Sequence, residues 1–167
     1  TITAEMKKVE PTIANFKVGE KFYLKDLVHA AMIKSANDAA NAIAIYLGNG
    51  NKQKFVSMMN YKAKKLGMMN TNFTNPCGFD IGNHSTTAND LLKLTEYAIK
   101  NKTFNSIVKI EKYAFSAINT KSRYVVHSSN KLLANEPYIV GVKTGYTNQA
   151  GACLIARAKK ENKDILM

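Results

Sequence analysis

At Glu111 the spacing of apolar residues changes, and that change limits the fold more than any other feature of the chain. Before it, apolar residues recur every three or four positions, the period of a helix buried along one face. After it they alternate, the period of a strand with one covered side. Helices first and strands second is the α+β order, a helical layer against an antiparallel sheet. The pattern predicts helices over about 24–110 and the sheet over about 111–167. A chain of 167 residues suits one domain.

The helical part divides by its own punctuation. Leu24, Leu27, Val28 and Ala31 fall on one face of a first helix. Ala40, Ile43, Ala44 and Leu47 repeat the spacing in a second, with Gly48 as its stop. That second helix is apolar on nearly every side, which predicts a central place in its layer. Asn51 reads as the cap of a third helix, with Phe55, Met58, Met59 and Leu66 turned inward. Residues 68–85, holding Pro76, Gly78 and Gly82, form a long loop, a kind that often carries function. Thr87-Ala-Asn-Asp90 has the capping-box pattern and opens a fourth helix to about Lys100, with Leu91, Leu94 and Ala98 on one face. Thr103–Ile110 reads as one more short helix, and residues 1–22, broken by Pro11 and Gly19, as extended or irregular.

In the sheet part, Tyr113, Phe115 and Ala117 alternate with polar or small neighbours, and Arg123–His127 follows a turn as a second strand. Ile139–Val142 is a β-branched run that reads as a buried central strand. Gly151–Ala158 reads as its hairpin partner, and Asp164–Met167 as the start of a last strand. Lys143, Thr144 and Gly145 then stand at the end of a central strand, beside a turn. Lysine brings a positive charge, threonine a hydroxyl, and glycine room for another backbone. An extended peptide with a free carboxylate could pair with that strand and set its charge on Lys143 and Thr144. A solvated lysine at the end of an ordinary strand explains the same triplet.

The formal charge of +12 comes almost wholly from lysine; Arg123 and Arg157 are the only arginines. The lysines are scattered, and two arginines are few for reading phosphates or bases, so nucleic acid is not the expected partner. Cys77 and Cys153 have no metal-ligand spacing, and neither do His29, His84 and His127. Surface or core roles are expected for these histidines rather than a metal site. Cys153 reads as a small core residue, and a Cys77–Cys153 disulfide is the weaker of two readings. No apolar run reaches membrane-spanning length.

Between the first two helices lies Ser35-Ala36-Asn37-Asp38. Ser35-x-x-Asp38 fits a capping box, so Ser35 reads as the cap of the second helix. A catalytic role is compatible with this, because a helix start is a rigid mount facing a cleft.

Ser-x-Asn between helices followed by Lys-Thr-Gly on a strand resembles the penicillin-binding proteins and serine β-lactamases. The flanks resemble the low-molecular-weight D-alanyl-D-alanine carboxypeptidases in particular. They are Val18-Gly-Glu, Leu24-x-Asp26-Leu27, Ser35-Ala-Asn-Asp-Ala-Ala40, Ala63-Lys-Lys-Leu-Gly-Met68, Asn70-Thr-Asn-Phe-Thr-Asn-Pro76, His84-Ser-Thr86, Asn130-Lys-Leu-Leu133 and Val142-Lys-Thr-Gly-Tyr-Thr147. The likeness runs through nearly all of the chain and implies a single, partial transpeptidase-like catalytic domain.

The family's first motif, Ser-x-x-Lys, should precede Ser-x-Asn, and residues 1–34 contain no serine. Ser106-Ile-Val-Lys109 and Ser128-Ser-Asn-Lys131 match the string but follow Ser35, and both read as coincidences. The expectation is a chain that begins after the nucleophile and its lysine base, ends before the family's last strand and helix, and is inactive alone. Such a piece would leave the sheet with open edges and an uncovered apolar face. It would pair with a complementary fragment or form an exchanged dimer.

The resemblance implies a serine-type D-Ala-D-Ala carboxypeptidase of peptidoglycan maturation, outside the cytoplasmic membrane of a bacterium. Its ligands would be stem peptides ending in D-Ala-D-Ala, and β-lactams in the intact protein, and it would need no metal or organic cofactor. Ser35 would pass a proton towards the leaving amine, and Asn37 would hold the substrate's amide. Lys143 and Thr144 would bind the terminal carboxylate. Gly145 would let substrate lie along the strand, and the Tyr146 N–H would serve the oxyanion. A non-catalytic module that binds wall peptides or a partner is the alternative, and a lysine-rich nucleic-acid binder a weaker one.

Overall fold

A computed structural model describes residues 1–9 and 11–167. Six helices and five strands follow in the expected order: α1 Leu24–Ile33, α2 Asn37–Leu47, α3 Lys52–Lys65, α4 Ala88–Ala98, α5 Lys102–Ile107, β1 Lys112–Ser116, β2 Arg123–His127, α6 Leu132–Asn135, β3 Ile139–Thr147, β4 Gly151–Lys160 and β5 Lys163–Leu166. The α+β class of the sequence reading stands.

α2 is the central helix. Ala39, Ala42 and Ala44 are buried, and their small side chains let α1, α3 and a short 3-10 turn at Glu5–Lys7 close in. Gly48 ends α2, though not through a left-handed turn: its φ is −80°. A Cβ there would meet the Asn51 carbonyl oxygen at 2.1 Å, so the glycine serves a close backbone approach.

Asn51 caps α3 by accepting from Lys54 N at 3.1 Å. The inward face differs from the expected one. Val56 and Ala63 are buried, whereas Met58 is 48% exposed. Asn60 lies on the inward side and holds Phe73 of the following loop through both amide atoms, at 2.7 and 2.8 Å. Thr87 caps α4 by accepting from Asp90 N at 3.2 Å, and Asn101 caps α5.

The strands form two sheets rather than one. β1 and β2 pair antiparallel and lie on α1; β3, β4 and β5 form a separate antiparallel sheet in that order. β3 is therefore an edge strand of its sheet, where a central strand was expected. It runs to Thr147, so Lys143–Gly145 lie within the strand, and the β3–β4 turn shrinks to residues 148–150. Cys153 is exposed on β4 rather than part of the core, and both cysteines are free thiols.

Phe16 is fully buried and joins the layers. Its ring packs on Phe22, Phe115 and Tyr124 at centroid distances of 4.6, 6.2 and 5.3 Å. On the other sheet, Arg157 is buried and donates to both oxygens of Asp164 on β5, at 2.7 and 2.6 Å. It also donates to Asn105 Oδ1 of α5 at 2.7 Å, which ties the sheet to the helical layer. Leu154, Ile165 and Met167 share one side of that sheet by register and remain exposed.

Candidate active site

Ser35 ends α1 instead of capping α2. Its φ of 63° is left-handed, a conformation usually left to glycine after a helix. The next amide, Ala36 N, closes back on the Ala30 carbonyl at 3.2 Å. Ala36 is the N-cap of α2, and no side chain bonds there. The capping reading of Ser35 is thus overturned. Left-handed backbone turns the Ser35 hydroxyl away from α2 and towards β3, where Lys143 Nζ donates to it.

Asp38, the other half of the expected box, instead anchors the chain before α1. Its carboxylate is buried and accepts from the backbone N–H of Ala14 and Asn15 at 2.9 Å each, and from Phe16 at 3.4 Å. Asn37 N donates to the Thr12 carbonyl at 2.7 Å. Three residues beyond Asp38, buried Asn41 donates to the carbonyls of Glu5 and Met6 at 3.2 and 3.0 Å. The turn carrying Ser35 and Asn37 is therefore held from below by the irregular segment it crosses. Asn37 is the first residue of α2, and its carbonyl accepts from Cys77 Sγ at 3.5 Å.

Across the groove, Lys143 also donates to the Thr144 carbonyl at 2.7 Å. Burial of its ammonium lowers the pKa from the usual lysine range to about 8. At neutral pH it is still a cation, but one near enough to its pKa to exchange a proton with a neighbouring hydroxyl. Thr144 Oγ1 and Ser129 Oγ share a hydrogen bond at 2.6 Å. Ser129 N donates to the Ile33 carbonyl at 3.0 Å, so the Ser128–Pro137 link ties the end of α1 to the Lys-Thr-Gly strand. Gly145 and Tyr146 are exposed on β3. A Cβ on Gly145 would find only Cys153 Cβ, at 3.9 Å, so the protein itself leaves that position open.

The groove thus brings together Ser35, Lys143 and Thr144 through bonds, with Asn37 beside Ser35 and Gly145 and Tyr146 further along the β3 edge. Ser129 was not singled out from the sequence; its neighbour Ser128 matched a catalytic string and drew the attention. The Ser-x-x-Lys look-alikes lie elsewhere. Ser106 Oγ donates to Thr103 in its own helix and is exposed with Lys109. Ser128 Oγ accepts from Asn130 N in the link. Among the described residues no three His, Cys, Asp or Glu side chains could hold a metal, and no helix is long and apolar enough to cross a membrane.

A half-buried lysine facing a serine hydroxyl, beside an exposed strand edge, can bind an anion and pass a proton. Known proteins resemble this chain in sequence and fold. Residues 2–167 match the family model described as D-alanyl-D-alanine carboxypeptidase. The D-alanyl-D-alanine carboxypeptidase DacF of Bacillus subtilis is 37% identical over 86% of this chain and 36% of its own length. The D-alanyl-D-alanine carboxypeptidase of Streptomyces sp. strain K15 is 30% identical over 94% of this chain and 57% of its own length. This chain thus spans about a third to somewhat over half of these relatives. Among solved structures, the Streptomyces K15 DD-transpeptidase superposes with a TM-score of 0.88 at 31% identity, over 93% of this chain and 63% of that one. The D-alanyl-D-alanine carboxypeptidase of Mycobacterium tuberculosis gives 0.90 at 28% identity, over 98% and 61%. Matched by that family model over residues 2–167 and alike in sequence and fold to these relatives, the chain belongs to the D-alanyl-D-alanine carboxypeptidase family.

Proposed function

We propose that the gene product containing this chain is a serine-type D-Ala-D-Ala carboxypeptidase of peptidoglycan maturation, working outside the bacterial cytoplasmic membrane. The observation that carries the reading is the Lys143–Ser35 contact across the groove, joined to Thr144 and Ser129. The nucleophile and its lysine base have no counterpart in residues 1–34, so this chain supplies the opposite walls of the site and is inactive alone. The serine attacks the carbonyl between two D-alanines, the last D-alanine leaves, and water frees the shortened stem peptide.

Within that reaction Lys143 and Thr144 hold the terminal carboxylate, and Ser35 relays a proton towards the departing amine with Lys143 at its back. Asn37 holds the substrate's amide. The exposed edge of β3 pairs with the extended peptide, and the Tyr146 N–H faces the developing oxyanion. β-Lactams acylate the same serine.

The test is release of D-alanine from an N-acyl-D-Ala-D-Ala peptide by the full-length gene product and by the 167-residue chain. The expected result is turnover by the first and none by the second. A full-length product that binds the peptide without releasing D-alanine moves the assignment to a non-catalytic wall-peptide module.

A further inference from the structure

One segment of the 68–85 loop touches both walls of the groove. Cys77 Sγ donates to the Asn37 carbonyl at 3.5 Å. Three residues later Asp80 reaches the other wall: Oδ1 accepts from Thr147 Oγ1 at 3.0 Å and Oδ2 from Gln149 N at 3.3 Å, at the tip of the β3–β4 hairpin.

The loop is built to hold Asp80 in place. Asn75 is buried beneath the segment; its Oδ1 accepts from the amides of Cys77, Gly78 and Phe79 at 3.1, 2.8 and 3.0 Å. Its Nδ2 donates to the Phe79 carbonyl at 2.9 Å. The base of the loop is fixed by Asn60 of α3 and by His84 Nδ1, which accepts from Thr74 N at 3.1 Å. A rigid mount thus presents one exposed carboxylate to the hairpin. Thr147 Oγ1 otherwise only closes the hairpin's own turn, accepting from Ala150 N at 3.0 Å.

We propose that Asp80 is a positioning residue that clips the β3–β4 hairpin to the Ser35–Asn37 wall and so sets the width of the groove. Thr147 lies two residues beyond Gly145, roughly 7 Å along the strand at the usual rise. A shift at the clip therefore reaches the strand edge where the ligand's carboxylate and carbonyl sit. This placement of the ligand rests on the proposed function; the clip itself does not. Misplacing reacting groups by about an ångström can cost on the order of 100-fold in rate, and a loosened surface clip should cost less.

The experiment uses the full-length gene product with Asp80→Ala, Asp80→Asn, Thr147→Val and the Asp80→Ala/Thr147→Val pair. Acylation by a fluorescent penicillin is timed well below the unfolding temperature of every variant. Asp80→Ala and Thr147→Val should each slow it about tenfold, the pair no more than the worse single change, and Asp80→Asn about threefold. Hydrogen exchange of the amides of residues 145–150 is measured alongside and should quicken about tenfold in Asp80→Ala. Equal acylation rates in wild type and Asp80→Ala, or single effects that multiply in the pair, would overturn the inference, as would unchanged exchange. If the wild type forms no adduct yet exchange quickens in Asp80→Ala, the carboxypeptidase reading fails and the clip stands.

Discussion

Lys143 on β3 donates to the hydroxyl of Ser35, 108 residues earlier in the chain, at the point where α1 ends. Neither side chain has an ordinary setting: the lysine is half-buried, with its ammonium partly withdrawn from water, and the serine is left-handed. Such costs persist where the surrounding structure holds them in place, as at functional sites.

Lys143→Met should stabilise the fold at neutral pH while removing the anion site. The folded pKa is about 8 against an ordinary 10.5. Between those values the unfolded chain holds a proton that the folded one lacks, so stability rises with pH across that window. Below pH 8 burial of the ammonium costs on the order of 2–3 kcal/mol. After loss of the Ser35 bond, a gain of about 1–2 kcal/mol is expected at pH 7, turning into a loss of up to about 1 kcal/mol by pH 10.5, where the burial cost is gone and the bond is still missing. Urea unfolding at the two pH values checks it.

At Ser35 the two smallest residues should separate. Both leave the Lys143 ammonium without its hydroxyl acceptor, a loss of about 1 kcal/mol. Ser35→Ala keeps the left-handed strain and should show that whole loss, whereas Ser35→Gly also removes the left-handed Cβ, a gain of about 1 kcal/mol that should bring it back near the wild type. Urea midpoints at constant slope would show Ser35→Gly above Ser35→Ala; equal losses in the two would remove the strain argument.

Acid should remove the stability that Glu20 contributes. Burial pushes its carboxyl up, but the Ser122 and Tyr124 hydroxyls, the Lys17 amide and Thr120 outweigh this and bring it down to about 2. The stability it contributes is present above the ordinary carboxylate pKa and is lost as pH falls towards 2. Glu20→Gln should cost roughly 2 kcal/mol at pH 7 and almost nothing near pH 2, read from unfolding curves at both.

Arg157→Met should loosen the three-stranded sheet from α5. It leaves Asp164 with Lys159 as its ion-pair partner and frees Asn105; because Asp164 stands at the surface while the arginine is buried, the loss should be about 1 kcal/mol. The check is thermal unfolding together with exchange of β4 and β5 amides, which should quicken before those of α2.

The period change at Glu111, the Asn51 and Thr87 caps and the Lys-Thr-Gly strand were legible because each is a local pattern. What escaped was polar chemistry directed at irregular backbone. Asp38, Asn41, Asn60 and Asn75 score as surface residues in any hydrophobic count, yet each holds a loop or strap by its N–H or C=O groups. Phe16 was hidden because it sits in a segment without periodicity. The division into two sheets depends on α6 and the link around it, whose strand-breaking role carries no period. Ser129 needed three dimensions: it belongs to the site through Thr144 and Ile33, and no sequence spacing connects them.

The most direct test is the site of penicillin attachment in the full-length gene product, found by intact mass and peptide mapping. The account predicts one acyl group on a serine of a Ser-x-x-Lys motif upstream of residue 35, formed more slowly when Lys143 is replaced by alanine. An adduct on Ser106 or Ser128, or one whose rate ignores Lys143, would contradict it.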